Sequence, residues 1–269
     1  MAAPFAYEQP TLATAWDGLR RHLRTVLAIL GIGLGFNLLG YGLANLFFGG
    51  GVGMDQGIGP GQPPLTDWND GLRGLLHQLF QTPFMLAASL VTVLLTAVPA
   101  MYYETGQVIT PVAALQLLAQ RPWRYLLAGI FATIVIVVGL LVCVLPGVAV
   151  ILVIPVYINR IFVTQQPVVE AFANAFQAVF SHAKGLNYLL IQLLVWLLLG
   201  LLMLVSLVVM VLLAGSLKVI ADNQNLILLV PLSVFSLGFA GLTLLGWLLL
   251  PQLGIFYMQN TAYRLGILR

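Results

Sequence analysis

Six long apolar segments, none with an ionisable residue near its middle, constrain this chain more than any other feature. They run approximately over residues 25–48, 83–103, 126–145, 148–163, 186–213 and 226–250. A helix of about 20 apolar residues crosses the hydrocarbon layer of a bilayer. A backbone in that layer must satisfy its own hydrogen bonds, so a continuous apolar run reads as a helix. With 7% charged residues and a mean hydropathy of +1.02, a water-soluble fold is excluded. The expected fold class is all-α: a polytopic membrane bundle of six transmembrane helices, with amphipathic interfacial helices on the cytoplasmic side. The six spans and their connections use nearly all of the 269 residues, so residues 1–269 read as a single integral membrane domain.

The eleven Lys and Arg residues orient these spans. Arg20, Arg21, Arg24, Arg121, Arg124, Arg160, Lys184, Arg264 and Arg269 fall on one side, and only Arg73 and Lys218 on the other. Cytoplasmic loops retain basic residues, so both termini are expected in the cytoplasm. With Glu8, Asp17, Glu104 and Glu170 on the basic side, its net charge is +5, which suits anionic inner-leaflet lipid. The opposite side, with Asp55, Asp67, Asp70 and Asp222, is at −2. The residues before Thr11 lack the basic and apolar regions of a signal peptide, so the first span reads as a retained anchor. A bacterial inner membrane, or a thylakoid membrane, fits this pattern. A formal charge of +3 does not suggest nucleic acid as a partner.

Between the spans, residues 11–24 read as an amphipathic surface helix with Leu12, Ala15, Trp16 and Leu19 on one face. Residues 49–65 are glycine-rich and aperiodic, a flexible loop that lacks the lysine and spacing of a phosphate-binding loop. Residues 66–80 suggest a second surface helix, capped by Thr66 or Asp67. A third is expected over 111–121. A fourth lies within 164–185, where Val169, Phe172, Phe176, Val179 and Phe180 recur at helical spacing. Pro146-Gly147 separates the third and fourth spans with no polar residue, which predicts a tight hairpin at the lipid interface. Pro155 should kink the fourth span. Gly31 and Gly35, four apart in the first span, are expected to let helices approach closely.

The order of features from Arg121 to about Leu194 carries a resemblance. Boundary aromatics and an apolar span lead to Leu145-Pro146-Gly147 and a second span. Then come Pro167-Val168-Val169-Glu170-Ala171-Phe172, a surface helix, Lys184-Gly185 and a further span. This resembles the membrane domain attached to some bacterial glycerophosphodiester phosphodiesterases, and related six-span bacterial membrane proteins. The resemblance implies a helical membrane module. It does not imply phosphodiesterase activity, because the soluble catalytic barrel of those enzymes has no counterpart here. The interval from Glu170-Ala171 to Lys184-Gly185 is also a few residues longer than that pattern leads one to expect.

Groups that carry chemistry are sparse. Cys143 is the only cysteine, and His22, His77 and His182 sit near span ends, so no metal-ligand spacing is present. No H-E-x-x-H or G-x-S-x-G motif occurs, and no paired intramembrane carboxylates. The expectation is therefore a non-enzymatic protein without cofactors. The polar groups inside spans are Asn37, Asn45 and Gln192, read as interhelical hydrogen bonders or, alternatively, as cavity-lining groups. Arg160 and Glu170 are expected to form a structural ion pair between the fourth span and the following surface helix, with a functional cytoplasmic site as the alternative. Two functions remain open. One is a structural or accessory subunit that binds membrane lipids and packs against other membrane subunits or copies of itself. The other is a carrier or permease for an apolar or lipid-like molecule.

Overall fold

The computed structural model describes residues 10–48, 68–181, 183–222 and 226–267. The stretch 49–65, the caps expected at Thr66 and Asp67, His182 and Arg269 lie outside the described residues, as do the side chains of Lys218 and Asp222. Every regular element among the described residues is an α-helix. In chain order these are α1 (Leu12–Arg21), α2 (Leu23–Phe48), α3 (Trp68–Thr105), α4 (Pro111–Gln120) and α5 (Pro122–Val142). After them come α6 (Val144–Phe162), α7 (Val168–Ser181), α8 (Gly185–Asp222) and α9 (Leu226–Arg264). Five helices are long and apolar enough to cross a membrane: α2, α3, α5, α8 and α9. The segment expected as the fourth span forms α6, a shorter apolar helix. The fold is thus a helical bundle of membrane character.

Several expected boundaries move. The surface helix expected over 66–80 and the span at 83–103 are one continuous helix, α3, which carries Pro83 and Pro99 inside it. The sixth span, expected to end near residue 250, continues in α9 to Arg264. A proline removes one backbone hydrogen bond, whereas ending a helix in an apolar medium leaves several groups unsatisfied, so the helices run on. The hairpin between α5 and α6 breaks at Cys143, which is extended (φ −169°, ψ 148°), and not at Pro146-Gly147. Pro146 and Gly147 instead lie in the first turn of α6, where a missing N–H costs little. Gly147 still serves the hairpin. A Cβ on Gly139 would lie 3.0 Å from the Gly147 Cα, so these two glycines let α5 and α6 close directly on each other.

Helix direction gathers the basic residues. α3, α6 and α9 end where α1, α2, α5 and α8 begin, which places Arg20, Arg21, Arg24, Arg121, Arg124, Arg160, Lys184 and Arg264 at one end of the bundle. The buried core is concentrated there. His22, between α1 and α2, is fully buried and pins the α3–α4 connection. Its Nε2 accepts from the Ile109 N–H at 3.1 Å, which leaves the proton on Nδ1, donated to the Gly18 carbonyl at 2.8 Å. The Thr25 hydroxyl donates to the Ile109 carbonyl at 2.7 Å, so both polar groups of one residue's backbone are held. The last turns of α9 then stitch the end together. Asn260 donates to the Thr14 hydroxyl of α1 at 2.8 Å, and Gln259 to the Pro155 carbonyl of α6 at 2.8 Å. Phe256 packs against His22 and Tyr103.

The short helices present unexpected faces to this core. In α1, Ala15, Gly18 and Leu19 are buried, while Leu12 and Trp16 remain exposed at 62% and 51%. In α7, Ala171, Ala175 and Val179 are buried, whereas Val169, Phe176 and Phe180 are exposed. The expected apolar stripes are therefore split between inside and outside. Small residues face inward because they permit close backbone approach. A Cβ on Gly18 would lie 3.0 Å from the Tyr103 hydroxyl oxygen and 3.1 Å from Phe256.

A lateral apolar groove as candidate functional site

Along α5, Ala128, Gly129 and Ala132 interrupt a run of large apolar residues, and they sit where α3 and α6 approach. Small side chains on one wall leave space that large ones would fill. The result is a groove of about 550 Å³ between α3, α5 and α6, lined by residues such as Leu90, Val93, Ile136, Ile154 and Ile158. That volume lies within the range of small-molecule sites. Among its lining residues Leu86, Ile130 and Ile134 are exposed, so the groove opens sideways onto the apolar outer surface.

Four of the five hydroxyls on its walls are turned onto helix backbone. Ser89 donates to the Met85 carbonyl at 2.8 Å, Thr92 to Ser89 at 2.9 Å and Thr133 to Gly129 at 2.9 Å. The Tyr157 hydroxyl crosses from α6 to the Ala128 carbonyl at 3.1 Å, which ties two walls together. Tyr125 stacks on Phe162 with ring centroids 4.2 Å apart. These four hydroxyls thus already have protein acceptors. No charged residue lines the groove. Such a surface favours hydrocarbon over any ligand that must be hydrogen-bonded.

At the basic end of this groove stand Arg121 and Arg124. Arg124 precedes Ala128 by one helical turn, and its Nη2 donates to the Ile161 carbonyl at 3.4 Å and to that of Gln166. Its Nε is buried without a hydrogen-bond partner. Arg121 is exposed and donates through Nη1 to the Gln165 side chain at 3.0 Å. These contacts fasten the α6–α7 connection, where Gln165 occupies the left-handed region at φ 55°.

The residues that stand out in the sequence scatter around this groove. Gly31 and Gly35 face open space, whereas Gly33 and Gly40 form the seam with α3. A Cβ on Gly33 would lie 3.1 Å from Thr92, and one on Gly40 only 2.7 Å from the Phe84 Cβ. Asn37 donates to its own helix at the Gly33 carbonyl, 3.1 Å away. It borders a smaller pocket of about 230 Å³ with Tyr41, Gln81 and Phe84. Asn45 does bond between helices, with its Oδ1 3.0 Å from His77 Nε2. Gln192 is fully buried and donates to the Tyr188 hydroxyl one turn away. Neither Asn45 nor Gln192 lines these two pockets, and Asn37 lines only the smaller.

Arg160 and Glu170 do not form the expected ion pair. Among the described residues the ion pair within 4 Å joins Asp17 and Arg21 of α1, at 2.9 Å. Glu170 is exposed at the first turn of α7, where a carboxylate also suits the helix dipole and water. Among the described residues, no three His, Cys, Asp or Glu side chains come together as metal ligands would. Sequence reasoning does not single out the groove residues. Their only signal is small residues at 128, 129 and 132 and a tyrosine at 157 inside apolar segments.

No family model, characterised protein or solved structure matches the chain.

Proposed function

We propose that this chain is a non-enzymatic integral membrane protein of six spans that binds lipid in the α3–α5–α6 groove and packs against a larger membrane assembly. In this reading its termini and basic end face the cytoplasm, and its membrane is a bacterial inner or a thylakoid membrane. The observation that carries the lipid reading is the groove: ligand-sized, uncharged, open to the side and with four of its five lining hydroxyls bonded to protein. Support for a sixth span comes from α6, whose 19 residues extend about 28 Å at the α-helical rise. That is close to the hydrocarbon thickness. Gathering of the basic residues at one end supports the orientation through the retention of Lys and Arg in the cytoplasm. The likeness of residues 121–194 to phosphodiesterase-linked membrane domains belongs to the same proposal, as a shared helical module without catalysis.

The test is purification of the full chain in nanodiscs with mass spectrometry of bound lipids and chains. Wild type should retain lipid that the groove-filling variant Gly129→Leu/Ala132→Phe loses, at unchanged helix content. Equal retention by both would end the lipid reading. Purification as a monomer with no accompanying chain would end the assembly reading. A carrier for an apolar small molecule is the second reading, favoured by the sideways opening. It requires uptake into proteoliposomes that the same variant abolishes.

A further inference from the structure

Resting on that reading of the groove, we propose that it is the chain subsite of a site for an anionic phospholipid, whose phosphate is taken by Arg121 and Arg124. The groove's walls end at Tyr125 and Tyr157, and the Tyr157 hydroxyl is bonded to Ala128. One turn further on along α5 is Arg124, whose guanidinium bonds Ile161, itself one turn beyond Tyr157 on α6. The cation therefore stands where a chain leaving the groove towards the basic end must emerge.

Three observations indicate an anion at that point. Neither Arg121 nor Arg124 has a carboxylate within ion-pair distance, so their charge is left unneutralised by the described residues. Nη2 of Arg124 is anchored on two carbonyls, whereas its Nη1 has no hydrogen-bond partner among the described residues and its buried Nε has none either. The start of α5 coincides with Arg121 and has no side-chain cap, so the positive end of its dipole adds to the same field. Beside them Trp123 is 75% exposed, an aromatic suited to the headgroup level of a bilayer. An arginine fork can take two phosphate oxygens at once, whereas a zwitterionic headgroup offsets the same charge with its own cation. Because the groove opens sideways from an apolar surface, the bilayer itself is the source of the occupant, and soluble phosphate would make no use of the groove.

The full chain is reconstituted in nanodiscs of mixed phosphatidylglycerol and phosphatidylcholine, and the lipid retained after dilution into detergent is read by mass spectrometry. Wild type should enrich phosphatidylglycerol over its bulk share, and Arg121→Gln/Arg124→Gln should reduce that enrichment by about 10- to 30-fold, from roughly three- to fivefold per arginine. Arg121→Gln alters only an exposed side chain and should give a partial loss even if the double variant fails to fold. Arg124→Lys should keep more of the enrichment than Arg124→Gln. Equal retention of the two lipids by wild type, or unchanged enrichment in Arg121→Gln and the double variant, would overturn the headgroup assignment. Displacement of the lipid by glycerophosphate as effectively as by intact phosphatidylglycerol would do the same, since it would make the chain irrelevant. The groove reading fails separately, when Gly129→Leu/Ala132→Phe leaves total retained lipid unchanged.

Discussion

Phe256 and Tyr263 near the end of α9, and Ile267 just beyond it, are buried, and this part of the helix bonds to α1 and α6 through Asn260 and Gln259. Earlier on the same helix Leu237, Leu242 and Leu244 are largely exposed, as are Leu194, Leu197 and Val211 on α8. There α8 and α9 meet chiefly each other, with Trp247 donating to the Ser206 hydroxyl at 2.7 Å. Both regions are strongly apolar in composition. Hydrocarbon surroundings give no hydrophobic gain for burying leucine, so a membrane helix gains only from close packing and polar stitching. At the basic end, small residues and side-chain hydrogen bonds supply both. Along the α8–α9 hairpin leucines predominate and stay outside.

The sharpest way to break this contrast is truncation. Phe256→Ala should destabilise the protein by about 3–5 kcal/mol, as for other fully buried aromatics. Leu237→Ala, on the outer surface, should stay within about 0.5 kcal/mol. Thermal unfolding in nanodiscs would decide, and equal losses at both positions would erase the distinction. The same logic divides the glycines of α2. Gly40→Leu should cost about 1–3 kcal/mol through overpacking against Phe84, while Gly31→Leu should be near neutral.

His22 sharpens the comparison through pH. Burial, the largest cause, holds its pKa below the usual 6.5; Arg21 adds to the depression, and the bond to Gly18 opposes it. The unfolded chain therefore takes up the proton more readily than the folded one. The stability that neutral His22 contributes is fully present above its unfolded value of about 6.5. It is lost as pH falls from there through the lower folded pKa, when Nε2 can no longer accept from Ile109. His22→Ala should cost about 1–3 kcal/mol at neutral pH by orphaning that buried N–H. Melting temperatures followed from pH 7.5 downward, within about one unit either side of the histidine value, should then show a weaker pH dependence than wild type. Smallest of all, Trp247→Phe should remove about 0.6 kcal/mol, the mean for one hydrogen bond between membrane helices. A loss comparable to that of Phe256→Ala would show that the α8–α9 hairpin is held as firmly as the basic end.

Much of the bundle is legible in the order of residues, but its faces are not. The stripe expected on α1 joins Ala15 to Trp16, and that on α7 joins Val179 to Phe180, because all are apolar, whereas the fold sends Ala15 and Val179 inward and Trp16 and Phe180 outward. The same ambiguity misplaces the seam of α2, since Gly31 and Gly33 look alike in sequence and face opposite surroundings. Asn45 reads as an interhelical hydrogen bonder and is one, although its partner His77 lies a full helix away. The groove escapes a reading of single segments because its chemistry is an absence of bulk on α5 facing residues on two other helices.

Helical structure, membrane character, the approximate places of the apolar helices and the unequal division of basic residues between their ends are all written in the chain itself. They follow from hydrocarbon thickness, from backbone hydrogen bonding and from the cost of a charge in an apolar medium, each of which acts on one segment at a time. Which small residues touch, which leucines stay outside and where the groove opens emerge only when the helices are assembled. In a medium as apolar as the side chains themselves, inside and outside differ by fit between helices, and fit is a property of pairs of segments that neither one carries alone.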